Sequence, residues 1–351
     1  MRTPMRLVWG LLALVIALAA LVTVKPDLFD ITAEYALRAP FAQVLAMRGW
    51  LVVAFAAAGL FFLIVAAIRR AVVARGRIAF TLSITLFLVA GLHAGTMYSR
   101  GVDQAESLSS DAGITTGTAG DGSITVLQYN TLGGSVDVDA LADVIETNGV
   151  DVISLPETST QTAQELAVEL AQRGKGFQQF DTGTSGYDAD YRSTALLVSL
   201  ALGEYTQTDL FEPTDEPTPL GVRAVPADGD GPTLMAVHPV APSSAHLDVW
   251  REEISRVYSL CGSEPNAIIA GDFNSTADHE ASLRLGSVCS DTLAQAGSGA
   301  VGTWTVKFPA LLGSPIDRVL TTAAYEGSEA AIVDLGGSDH RGVLVRLKPA
   351  S

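Results

Sequence analysis

Apolar positions are distributed along this chain in two different ways. Through the first hundred residues they run together: Leu7–Val24, Trp50–Ile68 and Ile78–Gly95 contain no Asp, Glu, Lys or Arg. A helix needs roughly 20 apolar residues to cross a hydrocarbon core, and each stretch is close to that length. Three transmembrane helices are therefore predicted at about 7–24, 50–68 and 78–95, within a membrane domain covering 1–99. Arg2 and Arg6 ahead of the first stretch would also suit a signal peptide. Two more spans follow, however, and Ala-Leu-Val-Thr-Val is a poor cleavage site, so the stretch is read as a retained anchor.

From Ser123 onward, short β-rich runs alternate with amphipathic segments. Strands are predicted at Ile124–Asn130, Asp151–Leu155, Thr194–Leu200, Thr233–His238, Ala267–Gly271, Ile316–Thr321 and Gly342–Leu347. Helices are predicted over Asp139–Asn148, Thr160–Arg173, Ala245–Leu260 and Ala277–Leu285. Between the two regimes, 100–123 is rich in Ser, Gly, Thr and Asp and reads as a flexible linker ahead of an α/β domain at 124–351. Glu212–Pro219 reads as a Pro-rich surface loop.

Charge separates the same two parts. Residues 1–100 carry ten Lys or Arg and three acids, a net of +7; the remainder carries 12 basic and 35 acidic residues, a net of −23. Arg2 and Arg6 flank the first span, and Arg69, Arg70, Arg75 and Arg77 fill the second loop. The positive-inside rule then places the amino terminus in the cytoplasm of a multi-pass cell-membrane protein and the domain after the third span outside it. So acidic a domain repels a polyphosphate backbone, which makes nucleic acid an unlikely ligand. Two cysteines, Cys261 and Cys289, lie on the outer side, where a disulfide between them is expected; two buried thiols are the alternative.

Polar residues at the strand ends carry the candidate chemistry. Gln-Tyr-Asn (128–130), Leu-Pro-Glu-Thr (155–158), His-Pro (238–239), Gly-Asp-Phe-Asn (271–274), Ile-Asp-Arg-Val-Leu (316–320) and Ser-Asp-His (338–340) follow one another in that order. In order and spacing this series resembles the endonuclease/exonuclease/phosphatase (DNase I-like) superfamily. The resemblance implies a four-layer α/β sandwich, two mixed β-sheets flanked by helices, here preceded by three transmembrane helices. It also implies a site for Mg²⁺ or Mn²⁺ in which Glu157 is the principal ligand, Asn130 supports it and Asp339 is a further carboxylate. Asp272 and Asn274 match the pair that handles the attacking water and the phosphoryl group. His340 matches the histidine beside the scissile phosphate, Asp317 the carboxylate that orients it, and His238 a second phosphate-contacting histidine.

The chemistry needs these residue types whatever the family. Phosphoester hydrolysis requires an aligned water, stabilisation of charge on the phosphoryl oxygens and a proton for the leaving group. Hard cations prefer oxygen donors, and a histidine held by an aspartate can act as acid, base or phosphate donor. Whether Asp272 or His340 is the base stays open. His246 and His279 read as surface or helix-start residues, Trp304 as packing, and Tyr187 or Tyr191 as possible phosphate contacts. Arg318 stands where many relatives have His, on the strand face opposite Asp317.

Three spans ahead of such a domain are similar to the membrane-bound teicoplanin-resistance group within the superfamily. That likeness implies a phosphatase or pyrophosphatase acting on a lipid-linked substrate such as polyprenyl (undecaprenyl) pyrophosphate, or on a phosphorylated small molecule, at the bilayer's outer face. The alternatives are an extracellular phosphodiesterase (nuclease or sphingomyelinase-like) and a non-catalytic envelope scaffold.

Overall fold

Each long apolar run forms one continuous helix: α1 (Arg2–Val24), α4 (Arg48–Val73) and α5 (Arg77–Arg100), all long and apolar enough to cross a membrane. The structure is a computed structural model that describes residues 2–73, 76–109, 122–183, 191–211, 220–286 and 289–350. Two compact units divide it, Met1–Ser99 and Arg100–Ser351. In the first unit the burial pattern of a water-soluble protein is inverted, with side chains such as Leu11, Phe61 and Leu88 on the outside. Small residues mark the helix contacts: the Ser83 hydroxyl donates to the Gly59 carbonyl at 2.7 Å. His93 is fully buried. It takes a hydrogen bond from Arg48 at Nδ1 (2.9 Å), meets the Thr23 hydroxyl at Nε2 (3.0 Å) and stacks on Phe55. Two short helices, α2 (Asp30–Ala36) and α3 (Phe41–Ala46), join α1 to α4.

In the second unit the period-2 runs form two six-stranded mixed sheets among the described residues. The first contains β1 (Ile124–Gln128), β2 (Val152–Pro156), β3 (Phe177–Asp181), β4 (Thr194–Ser199), β11 (Tyr325–Val333) and β12 (Gly342–Pro349), in the order β11-β12-β1-β2-β4-β3. The second contains β5 (Tyr205–Thr208), β6 (Gly221–Pro226), β7 (Thr233–Val237), β8 (Ala267–Asp272), β9 (Ser290–Asp291) and β10 (Asp317–Thr321), in the order β5-β6-β7-β8-β10-β9. Each sheet has one parallel pair at its centre, β1 with β2 and β7 with β8. Parallel neighbours need a helical crossover, supplied by α6 (Val138–Asn148) and α8 (Leu247–Ser263). Asp137 caps α6 through the Ala140 N–H, and Gly149 in the left-handed region (φ 61) ends it. α7 (Thr160–Gln172) follows β2; α9 (Ala277–Leu283) and α10 (Thr292–Gln295) lie in the β8–β10 connection.

Alternation decides which side chains meet. Ile124, Val126, Val152 and Leu196 point between the sheets, against Val222, Leu234 and Ile268. Leu127, Ile153, Leu155 and Leu197 point the other way, onto Leu141 and Ile145 of α6 and Leu166 and Leu170 of α7. Gln128 therefore has inner-face parity and reaches the gap between the sheets at their rim. Residues 101–109, read above as linker, lie on this unit. The Asp103 N–H bonds to the Gly297 carbonyl, the Ile332 N–H to Ala105, and Leu108 is buried beside α6. The rest of that linker, 110–121, lies outside the described residues, as does the 212–219 loop. Cys261 and Cys289 form a disulfide.

Asp151, just before β2, offers a test by pH. Its Oδ2 accepts the Thr125 N–H at 2.9 Å, while its Oδ1 is buried with no hydrogen-bond partner. Burial pushes this carboxyl up to about 7, with the Thr125 N–H and Lys175 pulling the other way. An unfolded aspartate titrates near about 4, so the folded state holds this proton more tightly. The stability it contributes is present below about pH 4 and is lost as pH rises through about 7. Asp151→Asn should therefore gain Tm relative to wild type between pH 5 and pH 8.5. A difference that stays flat over that range would refute the assignment.

Candidate active site

Four strand ends converge on one rim. β1, β2, β7 and β8 deliver their carboxyl ends there with Asn130, Glu157, His238 and Asp272. β10 and β12 begin at the same rim, because β10 runs antiparallel to β8 with Asp317 opposite Asp272, and β12 runs antiparallel to β1. Gly271 is required here, since a Cβ at that position would lie 2.0 Å from the Val237 carbonyl oxygen of the neighbouring strand.

The side chains form a linked polar network. The fully buried Asn130 amide donates to Glu157 Oε1 at 2.9 Å and to Asp272 Oδ2 at 3.1 Å. Asp272 Oδ1 accepts the Asn274 backbone N–H at 2.8 Å, and the Asn274 amide donates to the Pro239 carbonyl at 2.9 Å, fixing the segment that carries His238. His238 Nε2 lies 3.8 Å from Glu157 Oε1 and 3.7 Å from Asp272 Oδ2. His340 Nδ1 meets Asp317 Oδ2 at 2.8 Å, while Gln128 donates to Asp317 Oδ1 at 3.0 Å. His340 Nε2 faces Asp272 Oδ2 at 3.7 Å and Asp339 Oδ1 at 3.9 Å. All eight sequence-predicted residues thus belong to one constellation, half of it from each sheet.

Electrostatics within it are strong because water is excluded. Burial, reinforced by Asp317, raises the Asp272 carboxyl to about 6, against the pull of His340 and His238. Burial alone would lower His340, but Asp317 and Asp272 outweigh it and raise the imidazole to about 10. Glu157 Oε2 is buried with no hydrogen-bond partner, and its backbone sits in the left-handed region (φ 53) that a non-glycine residue rarely adopts. The Thr131 hydroxyl and the Gly134 N–H hold that conformation by donating to the Glu157 carbonyl. A buried carboxylate oxygen left without a hydrogen-bond partner, on a residue with a strained backbone, suits a hard cation. Asp272, Asp317 and His340 also lie close enough together to suggest a metal trio. Both oxygens of Asp317 are already occupied by Gln128 and His340, however, so the free donor is Glu157.

Four residues take part to which the sequence reading assigned no site role, although Gln128 and Ser338 open two of the quoted motifs. Gln128 was detectable by parity, two positions before Asn130. The Ser338 hydroxyl donates to the Asn130 carbonyl at 2.7 Å and accepts the His340 N–H at 3.0 Å, joining the first motif to the last. Trp304 is 36% exposed rather than packed inside, and its indole N–H donates to Asp339 Oδ2 at 2.9 Å. Arg341 holds the loop bearing this tryptophan through the carbonyls of Gly302 (3.2 Å), Val306 (3.3 Å) and Phe308 (2.9 Å). No local pattern signals these last two, because their partners are distant in sequence. Arg318 is buried against Tyr258 and paired with Glu280 and Asp291. His246 precedes α8, and His279 is buried in the first turn of α9. Tyr191 lies over Gly133, while Tyr187 is outside the described residues.

Comparison with curated protein sequences finds no match. Among solved structures, D. rerio TDP2 humanized by 14 mutations is similar at 17% identity and a TM-score of 0.52, covering 64% of this chain and 99% of that one. An endonuclease/exonuclease/phosphatase from Beutenbergia cavernae is 20% identical with a TM-score of 0.49, covering 65% of this chain and 72% of that one. The sequence pattern of the endonuclease/exonuclease/phosphatase family matches residues 127–340, more than half of the chain and all eight residues of the constellation. The chain belongs to that family, and its second unit is a phosphoester hydrolase of the endonuclease/exonuclease/phosphatase superfamily.

Proposed function

We propose that this hydrolase is anchored in the cell membrane by α1, α4 and α5, with its amino terminus cytoplasmic and its catalytic unit outside. On this reading it releases phosphate from a lipid-linked substrate such as a polyprenyl pyrophosphate. The observation that carries the hydrolytic part is the constellation of Glu157, Asn130, Asp272, His340 and Asp317 at the sandwich rim. The lipid part is supported by three spans joined to a catalytic part of net charge −23, which repels long polyanions.

Glu157, with Asn130 hydrogen-bonded to it and Asp339 as a further carboxylate, would hold Mg²⁺ or Mn²⁺, which when bound supplies charge stabilisation for the phosphoryl oxygens. Asp272 accepts the proton of the attacking water as the water oxygen bonds to phosphorus and the bond to the leaving oxygen breaks. His340, fixed by Asp317, presents a protonated Nε2 to the phosphoryl group. His238 is placed to return a proton to the leaving oxygen. Trp304 orients Asp339, so Trp304→Phe, which keeps the ring and removes the N–H, should weaken Mn²⁺ binding about 10-fold or more. Calorimetric titration measures this directly, and unchanged affinity would exclude the role.

The deciding experiment is phosphate release from polyprenyl pyrophosphate and from generic diesters by detergent-solubilised protein with Mg²⁺, against His340→Ala and EDTA controls. Release from the lipid, abolished by both controls, supports the proposal. Activity on diesters alone transfers the function to phosphodiester cleavage.

A further inference from the structure

The connector between α1 and α4 is built unlike a water-exposed loop. Its inner face packs normally: Ala36 and Leu45 are buried against Leu51, with Phe55 alongside. Its outer surface, apart from the exposed charges of Lys25, Asp30, Glu34 and Arg38, is also apolar. Leu28, Phe29, Ile31, Tyr35, Phe41 and Val44 are all exposed, Ile31 at 62%. Ile31 and Tyr35 are four apart on α2, and Phe41 and Val44 three apart on α3, so each pair shares a face. The Tyr35 and Phe41 rings meet edge to face at 6.1 Å and join the two faces into one patch. Water would penalise such a surface by roughly 25 cal/mol per Å².

What covers the patch is indicated by where it lies. Both ends of the connector run directly into apolar helices, at Val24 and at Arg48, so it sits level with the ends of two spans. Trp50, in the first turn of α4, is exposed as well. Tyr and Trp are the residues that settle at the headgroup level of a bilayer. Arg38 stacks over the Tyr35 ring at 5.7 Å and pairs with Glu34, so polar ends flank the patch where headgroups would meet them.

We propose that Pro26–Ala46 lies in the plane of the membrane, with its outer face buried in the boundary between headgroups and acyl chains. The unit is then gripped by the bilayer through an in-plane segment as well as through its spans. This rests on the reading of α1 and α4 as membrane-spanning.

The test uses the full chain in phosphatidylcholine/phosphatidylglycerol nanodiscs, with nitroxides on Ile31→Cys and Phe41→Cys. Leu60→Cys in α4 and Asp228→Cys on the catalytic unit serve as references, and Cys261 and Cys289 are shielded by their disulfide. Power-saturation EPR compares collisions with oxygen and with a water-soluble nickel chelate, after unfolding curves confirm wild-type stability. Sites 31 and 41 should favour oxygen several-fold over the chelate, as Leu60 does and Asp228 does not. Chelate accessibility equal to that at Asp228 overturns the proposal. So does protection from both reagents, which would mean a second copy or a partner protein covers the patch. If Leu60 itself meets the chelate freely, the membrane-spanning reading has failed, a result distinct from failure of the in-plane segment alone.

Discussion

Replacing Asp317 with asparagine will lower turnover about 10³-fold while leaving KM within a few-fold of wild type. The carboxylate is fully buried, with one oxygen taken by Gln128 and the other by His340 Nδ1. Asparagine keeps the volume but removes the charge that holds the imidazole protonated, and its amide can present a donor where His340 already donates. The imidazole then loses both its orientation and its proton, while the other groups around the phosphoryl site stay in place. Rates with any phosphoester the protein accepts, together with the ¹⁵N shifts of His340, check this. Turnover within tenfold of wild type would remove Asp317 from the machinery.

Glu157→Gln should produce two opposite effects. Metal affinity should fall at least 100-fold, more than is usual for loss of a supporting hydrogen bond, and hydrolysis should fall with it. The metal-free protein should become more stable, by roughly 1–3 kcal/mol. Glu157 Oε2 is buried without a hydrogen-bond partner, while its Oε1 shares the Asn130 amide and the vicinity of His238 Nε2 with the carboxylate of Asp272. In the absence of a cation that negative charge is a cost which function alone justifies. Calorimetric Mn²⁺ titration and thermal unfolding in EDTA read the two effects separately. If the variant is less stable without metal, Glu157 is a structural carboxylate and the metal assignment fails.

The legible parts of the sequence were those where one periodicity governs. Charge-free runs gave the three long helices, and short continuously buried strands such as β1, β4 and β8 were placed to within two residues. Strands β3, β5, β6, β9 and β11 were not found. β3 (Phe-Gln-Gln-Phe-Asp) and β5 (Tyr-Thr-Gln-Thr) are sheet edges, where one side of the strand meets solvent and polar residues interrupt the pattern. β11 contains a register shift between Gly327 and Glu329 that breaks its alternation. The motif order picked out eight polar residues that the fold brings to one rim, because each stands at a strand end where a polar side chain is out of place. Trp304 and Arg341 stayed hidden because their roles exist only when the 302–308 loop lies against the start of β12.

The pairing of β1 with β12 also sets an order of events at the ribosome. Ile124 lies opposite Leu347, so the strand that leads to Asn130 waits for β12 before that side of it is paired. At roughly 5–20 residues per second that interval lasts on the order of 10–45 s. Asp339, His340 and Arg341 arrive only in its last moments, immediately ahead of β12. A growing chain therefore has no assembled hydrolytic centre until β12 and the residues just ahead of it have been made.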